Sequence, residues 1–270
     1  MDRLYLNFFE LGLVLYLAAT GAFVFQLAFN WRAAGRIALV VLTLAFATDT
    51  IALLLRASAE GSVAVNSFHD QLSFLAWLIV GAYLLLEVRY HLSVVGALVS
   101  PLAFLLTFSA YAVYSGAERV QGQSVWLPAH VAPAFLGYAI FVLAFFVSLL
   151  YLLQDRQLKG KRKSSMLGRL PSLETLDELN YRFVAWGFGL FTVGIITGTL
   201  LAKQRWGEFW TWEPVQVLST IAWLLYALLL QTRAAGWRGR KAATLTILGF
   251  ALLVVSFLLG FPGRHAATLG

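Results

Sequence analysis

HVAPAFLGYAIFVLAFFVSLLYLLQ, residues His130–Gln154, carries no charged side chain between its two ends. A helix of about 20 apolar residues covers the ~30 Å hydrocarbon core of a bilayer, and a helix satisfies its own backbone there. The run therefore reads as a membrane span, His130–Leu153. Outward from it, seven more segments of the same kind appear: Leu6–Phe29, Ile37–Leu55, Phe68–Val88, Leu92–Tyr114, Phe183–Ala202, Pro214–Leu230 and Ala242–Phe261. The composition agrees. The chain of 270 residues is 60% apolar and 12% charged, whereas soluble domains run at about 45–50% and about 25%. Disordered, collagenous and disulfide-stapled classes are excluded by the same numbers. With no Cys, thiolate metal sites, iron–sulfur clusters and cysteine nucleophiles are excluded too.

The expected fold is an all-α bundle of eight transmembrane helices, one polytopic membrane domain over residues 1–270. The first span has only Arg3 ahead of it and no small-residue cleavage site behind it, so it reads as a span and not as a signal peptide. Fourteen of the 20 Lys and Arg fall in the loops after spans one, three, five and seven. The positive-inside rule then puts both termini and the loop between spans six and seven on the outer side of the cytoplasmic membrane. The net charge of +7 is thus a topology signal, and nucleic acid is not an expected partner. The run Lys159–Lys163 suits anionic lipid heads. Within LPSLETLDELNYR, Ser172 and the carboxylates after it suggest a short amphipathic helix ahead of span six.

Chemistry gathers on the outer side. His69 opens span three, His130 opens span five and His265 follows span eight, while His91 lies at the inner face. The outer loop KQRWGEFWTWEP packs Trp206, Phe209, Trp210 and Trp212 together, with Glu213 and Pro214 as N-cap and first turn of span seven. A Trp at a membrane boundary ordinarily anchors the aromatic belt, but a belt needs only one per end. Two imidazoles satisfy both axial positions of a haem iron, and indole faces stack on a flat macrocycle. The outer cations Arg119, Arg205 and Arg264 suit its propionates. These residues outline a tetrapyrrole-sized site.

Other intramembrane polar groups read as follows. Asp49 lies inside span two, where an acid is paired or functional by default. Arg56, seven residues on and on the same face, is its expected partner; a role in a proton or haem path is the alternative. Glu87 and Arg89 read as an interfacial pair. Pro101 and the glycines Gly187, Gly189, Gly194 and Gly198 suit kinking and close packing.

WGEFWTWEP, Trp206–Pro214, resembles the tryptophan-rich WWD signature of the haem-handling proteins of cytochrome c assembly, the CcsA/CcmC/HemX group. In the CcsA branch the pattern reads about WGxYWxWDPKE. FLAWLIVGAYLLLE (Phe74–Glu87) is similar to the family's third span, and the run from His130 to the span that begins with its first outer His. SLETLDELNYRFVAWGFGLFTVGIITG (Ser172–Gly198) resembles SLExLDxLxYRxxxxGFxxLTxGIxxG, and GWRGRKAATLTILGF (Gly236–Phe250) the last inner loop and span. About residues 65–265 are covered.

The resemblance implies that His130 and His265 are the axial ligands of a haem, haem b, on a platform of Trp206, Trp210 and Trp212 with Phe209. It implies delivery of that haem at the outer face to the CxxCH thiols of apocytochrome c, beside a CcsB-like membrane partner, as a component of a cytochrome c haem lyase (synthase) complex. Whether that is catalysis in the strict sense stays open, because thioether formation can follow from placing haem and thiols together.

Two departures stand out. WDPKE becomes Trp212-Glu213-Pro214-Val215-Gln216, and the YLHTR stretch, whose His is an inner haem ligand, becomes LLLQTR with Gln231 at that position. His91 could replace the missing inner ligand, and His69 carries no motif. A HemX-like regulator of haem biosynthesis, not itself ligating haem for cytochromes, is the second reading. A b-type electron-transfer cytochrome or a transporter is the third, and four His with three on one side oppose a transmembrane haem pair.

Overall fold

A computed structural model describes residues 2–29, 31–60, 65, 67–114, 126–160 and 170–260. Among them are eight helices and no strand: α1 (Asp2–Phe29), α2 (Arg32–Glu60), α3 (Phe68–Tyr90), α4 (Ser93–Ala112), α5 (Trp126–Lys159), α6 (Leu173–Trp206), α7 (Pro214–Ala234) and α8 (Arg240–Leu259). All eight are long and apolar enough to cross a membrane, so the all-α multi-span bundle is as expected. The expected site residues Arg119, Arg264 and His265 lie outside the described residues.

Helix ends differ from the hydropathy reading where they leave the apolar zone. Each of α5 and α6 has 34 residues, about 51 Å at 1.5 Å per residue, well beyond the ~30 Å that lipid requires. The short amphipathic helix expected before span six does not exist separately. Ser172 caps α6 itself, its Oγ accepting the Thr175 N–H at 3.1 Å, and LETLDELNYR runs unbroken into the span. Helix propensity continued where hydropathy stopped.

The chain forms two compact units, residues 1–123 and 124–270. In the first, α1 packs on α2 and α4, and α3 on α4. Tyr5, Phe9, Tyr16 and Phe23 fill its interior from one face of α1. Trp77 lies stacked on Phe46 at 5.4 Å and donates its indole N–H to Thr50 Oγ1 at 2.8 Å. In the second unit α5 lies along α6, and α8 packs on α5 and α7. The α5–α6 seam is built on glycine. A Cβ on Gly137 would stand 3.1 Å from Phe191 N, one on Gly187 2.8 Å from Phe141 Cε1, and one on Gly194 2.8 Å from Ala134 Cβ. Small residues let membrane helices approach closely. Gly189 is different, with nothing within 4 Å of a Cβ.

The expected Asp49–Arg56 pair is not formed. Asp49 is 1% exposed and accepts from Tyr16 Oη of α1 at 3.1 Å. Arg56 instead reaches Asp70 of α3, Nε to Oδ1 at 3.1 Å. Asp70 also closes the capping box of α3, accepting the Ser67 N–H while Ser67 Oγ accepts the Asp70 N–H, each at 3.1 Å. Partners on neighbouring helices outcompete one seven residues along the same helix, because they bring charge into the interior without stretching a side chain along its own axis. The Glu87–Arg89 pair is also replaced. Glu87 turns inward, accepting from Tyr83 Oη at 3.2 Å, and Arg89 lies over the Tyr90 ring at 5.8 Å.

Candidate haem site

His130 stands in the first turns of α5, three residues before Pro133, which removes one backbone donor from that stretch of helix. Its Nδ1 lies 2.7 Å from the carbonyl oxygen of Gly194 on α6. A carbonyl can only accept, so Nδ1 carries the proton and donates it. In neutral imidazole Nε2 then keeps its lone pair, the state a metal ligand requires. Gly198, one turn further along α6, completes the seat. A Cβ there would stand 2.9 Å from both Cε1 and Nδ1 of the ring, so the imidazole edge fills the space that a side chain would take.

The same helix ends in the tryptophan loop. Trp206 is the last residue of α6, and Gly207 caps it in the left-handed conformation (φ 80°), its N–H reaching Lys203 O. Trp206, Phe209 and Trp212 are exposed. Lys203 Nζ sits over the Phe209 ring at 5.2 Å. Trp210 and Trp212 meet edge to face, centroids 5.6 Å apart and planes at 89°. Trp212 is 77% exposed and adopts φ 57°, a conformation that costs an L-residue about 1–2 kcal/mol. The indole N–H of Trp210 is buried without a partner. Arg205 is exposed beside Trp206.

Sequence reading took Gln216 only as a departure from WDPKE and missed its contact. Its Oε1 reaches back from the first turn of α7 to accept both the Thr211 N–H, at 2.8 Å, and the Thr211 hydroxyl, at 3.0 Å. A side-chain acceptor turned back on the loop ahead of a helix is capping-box logic, and Thr followed five residues later by Gln was the available signal. The amide oxygen supplies the acceptor that a carboxylate at this position would supply. Removing it in Gln216→Ala should free the loop between Trp210 and Trp212. The tryptophan fluorescence of the loop should become more accessible to iodide, with Gln216→Glu behaving as wild type. Equal quenching in all three proteins would show that the contact does not hold the loop.

The remaining candidates are placed elsewhere. His69 is 3% exposed in the first unit, with Nδ1 2.8 Å from the Ala110 carbonyl and Nε2 bonded to the Tyr5 hydroxyl. Phe9 and Tyr114 pack around the ring. Both ring nitrogens are occupied. His91 is the exposed, left-handed C-cap of α3 (φ 52°), its backbone N–H on Glu87 O. Gln231 is exposed on α7. Among the described residues the structure thus seats His130 on α6, the helix that ends in Trp206 and leads into Phe209, Trp210 and Trp212.

The family profile described as Cytochrome C assembly protein matches residues 65–261. A curated relative, "Cytochrome c biogenesis protein CcsA" of Guillardia theta, is 31% identical over 228 residues, covering 76% of this chain and 76% of that protein. Its counterpart in Parasynechococcus marenigrum (strain WH8102) is 32% identical over 228 residues, 74% and 75% of the two chains. That of Pyropia yezoensis is 30% identical over 256 residues, 79% and 80%. A solved structure described as "Cytochrome c Heme Lyase CcmF" superposes with a TM-score of 0.70 at 16% identity, over 99% of this chain and 48% of the other. The chain is alike in fold to that protein and spans about half its length.

Proposed function

Since this chain belongs to the cytochrome c assembly protein family and is a multi-pass membrane protein of cytochrome c biogenesis, we propose that it holds haem b between His130 and His265 against the tryptophan loop. From there it presents the haem to apocytochrome c. The observation that carries this reading is the Nδ1–H bond of His130 to Gly194 O, which leaves Nε2 as a lone-pair donor seated on the helix that leads into the tryptophan loop. The residues fit the group: a fixed imidazole for iron, indole faces for the macrocycle, and Arg205 for a propionate. When bound, haem supplies the vinyl groups to which cytochrome thiols add.

The chain's own part is positional. Gly194 and Gly198 set the tautomer and the ring plane of His130, and Gln216 holds Thr211 so that Trp210 and Trp212 stay edge to face. The exposed indoles exclude water from one face of the ligand. Holding two reactants in register is worth several kcal/mol without any acid–base group. The setting proposed is the cytoplasmic membrane, with the tryptophan loop and both termini outside and a CcsB-like protein supplying the apocytochrome dock. The altered segment after Trp212, which favours a regulatory role, keeps its acceptor in Gln216. That leaves the synthesis-complex reading in front.

The test is an optical spectrum, oxidised and reduced, of the detergent-purified protein supplied with haem. Wild type should show a reduced low-spin haem spectrum that the double variant His130→Ala/His265→Ala loses. Wild-type protein that stays haem-free would sink the proposal and leave the regulatory reading ahead.

A further inference from the structure

At the end of α6 and α7 away from the tryptophan loop, the two helices part. They touch each other far less than α5 and α6 do, and an open-sided cleft of about 210 Å³ lies there. Val184 of α6, Leu229 and Leu230 of α7 and Ala242 of α8 give it apolar walls, and Tyr181 and Arg233 stand with them. Asn180 also borders it, but its amide is committed, donating to Ser148 Oγ at 2.7 Å and accepting from Thr246 Oγ1 at 3.0 Å. The cleft therefore offers a guest an apolar bed with one guanidinium beside it. No histidine is among the residues that line it, so the cleft has no imidazole for a haem iron.

Charge gathers at that end. Arg233 and Ala242 both line the cleft, so the loop that joins them belongs to its rim. RAAGWRGRK, Arg233–Lys241, holds four cations and no acid, and Arg238, Arg240 and Lys241 are exposed. Trp237 is 41% exposed with Lys241 Nζ 4.9 Å over its ring. An exposed indole at the end of a span sits at headgroup level. Arg233 itself is held in place: Nη1 donates to Asp177 Oδ1 at 2.8 Å, Nη2 to Asp177 O at 3.5 Å, and Cζ lies 5.1 Å over the Tyr181 ring. A guanidinium has five N–H donors, and those two bonds use two of them. The Asp177 carboxylate is matched by Arg233 and by the Gly239 N–H, which leaves the loop cations in excess.

We propose that this cleft holds one anionic phospholipid, with an acyl chain along Val184, Leu229, Leu230 and Ala242 and the phosphate at Arg233 under the basic loop. The volume is below the about 300–1,000 Å³ of a small-molecule site, and the cleft is open along its side, which suits a chain laid into it. A bilayer supplies such chains at every helix, so the choice among lipids falls to charge. Basic pockets between membrane helices take anionic head groups, and a guanidinium binds phosphate oxygens through charge-assisted hydrogen bonds. A zwitterionic lipid would bring its own cation against the four of the loop. Free phosphate would leave the apolar bed uncovered. The lipid fills the gap that α6 and α7 leave, at the end of these helices away from the haem site.

The test mixes the full chain in detergent with equal amounts of phosphatidylglycerol and phosphatidylcholine of the same chain length, and native mass spectrometry counts the bound lipid. Wild type should keep one phosphatidylglycerol, favoured about tenfold over phosphatidylcholine. Leu230→Trp, which fills the cleft and leaves every charge in place, should lose that lipid, and Arg233→Gln should lose the preference. Arg233 also ties Asp177, so should Arg233→Gln fail to fold, the exposed triple variant Arg238→Gln/Arg240→Gln/Lys241→Gln decides, with the preference expected to fall severalfold. Equal binding of the two lipids by wild type overturns the proposal. So does an unchanged preference in folded Leu230→Trp, which would place the lipid on the outer surface of the bundle, or in the folded charge variant. Release of the lipid by millimolar inorganic phosphate would make free phosphate the occupant and overturns it as well.

Discussion

Gly198→Ala is expected to weaken haem retention by about tenfold to a hundredfold while leaving every ligand in place. The added Cβ would stand 2.9 Å from Cε1 and Nδ1 of His130, closer than carbon packs. The ring must swing off α6, and its bond to the Gly194 carbonyl goes with it. Losing such a bond costs about 1–3 kcal/mol, and each 1.4 kcal/mol is a factor of about ten in affinity. The sign is what makes the experiment informative. A glycine in a helix interior normally costs about 0.5–1 kcal/mol against alanine, so Gly189→Ala, with open space around its Cβ, should leave haem retention unchanged and stabilise slightly. Titrating both variants with haem and following the reduced spectrum checks it. Equal affinities would mean that His130 is not seated on Gly198 when it binds.

The second large effect is structural. Asp177 of α6 accepts Arg233 Nη1 of α7 at 2.8 Å and the Gly239 N–H ahead of α8 at 2.7 Å, both on Oδ1. Arg233 also lies over the Tyr181 ring at 5.1 Å. One carboxylate thus joins the ends of three helices. Nearby, Asn180 donates to Ser148 Oγ of α5 at 2.7 Å and accepts from Thr246 Oγ1 of α8 at 3.0 Å. Asp177→Ala should destabilise the fold by about 3 kcal/mol, because it strands a mostly buried guanidinium and a backbone donor together. Asp177→Asn keeps the acceptor and should lose about half as much. Thermal unfolding in detergent measures both. A melting point unchanged in Asp177→Ala would show that the carboxylate does not hold these helices.

These residues also mark what a sequence can show. Eight spans were legible because lipid admits little else: a bilayer writes its thickness into hydropathy. The water-borne ends of α5 and α6 carry no such signal, and Trp126, Lys159 and Leu173 mark ends that hydropathy did not reach. For the site, the chemistry of His130 and the crowding of Trp206, Trp210 and Trp212 could be read directly, since residue type alone suggests them. The Nδ1 bond to Gly194, the seat at Gly198 and the reach of Gln216 are tertiary facts, fixed by which helix faces meet. Asp49 shows the same limit. Its neighbours along the chain pointed to Arg56, but its bond is to a tyrosine on another helix.

The 34-residue lengths of α5 and α6 have a mechanical consequence. Two rods locked along a seam of glycine cannot slide or tilt independently without opening a seam too tight to admit a Cβ. They behave as one strut, about 51 Å long, with the imidazole seat and tryptophan loop at one tip and the capped start at Ser172 at the other. Membrane thickness accounts for only part of that length. The rest is length that the hydrocarbon core does not require, and it shares the stiffness of the locked pair.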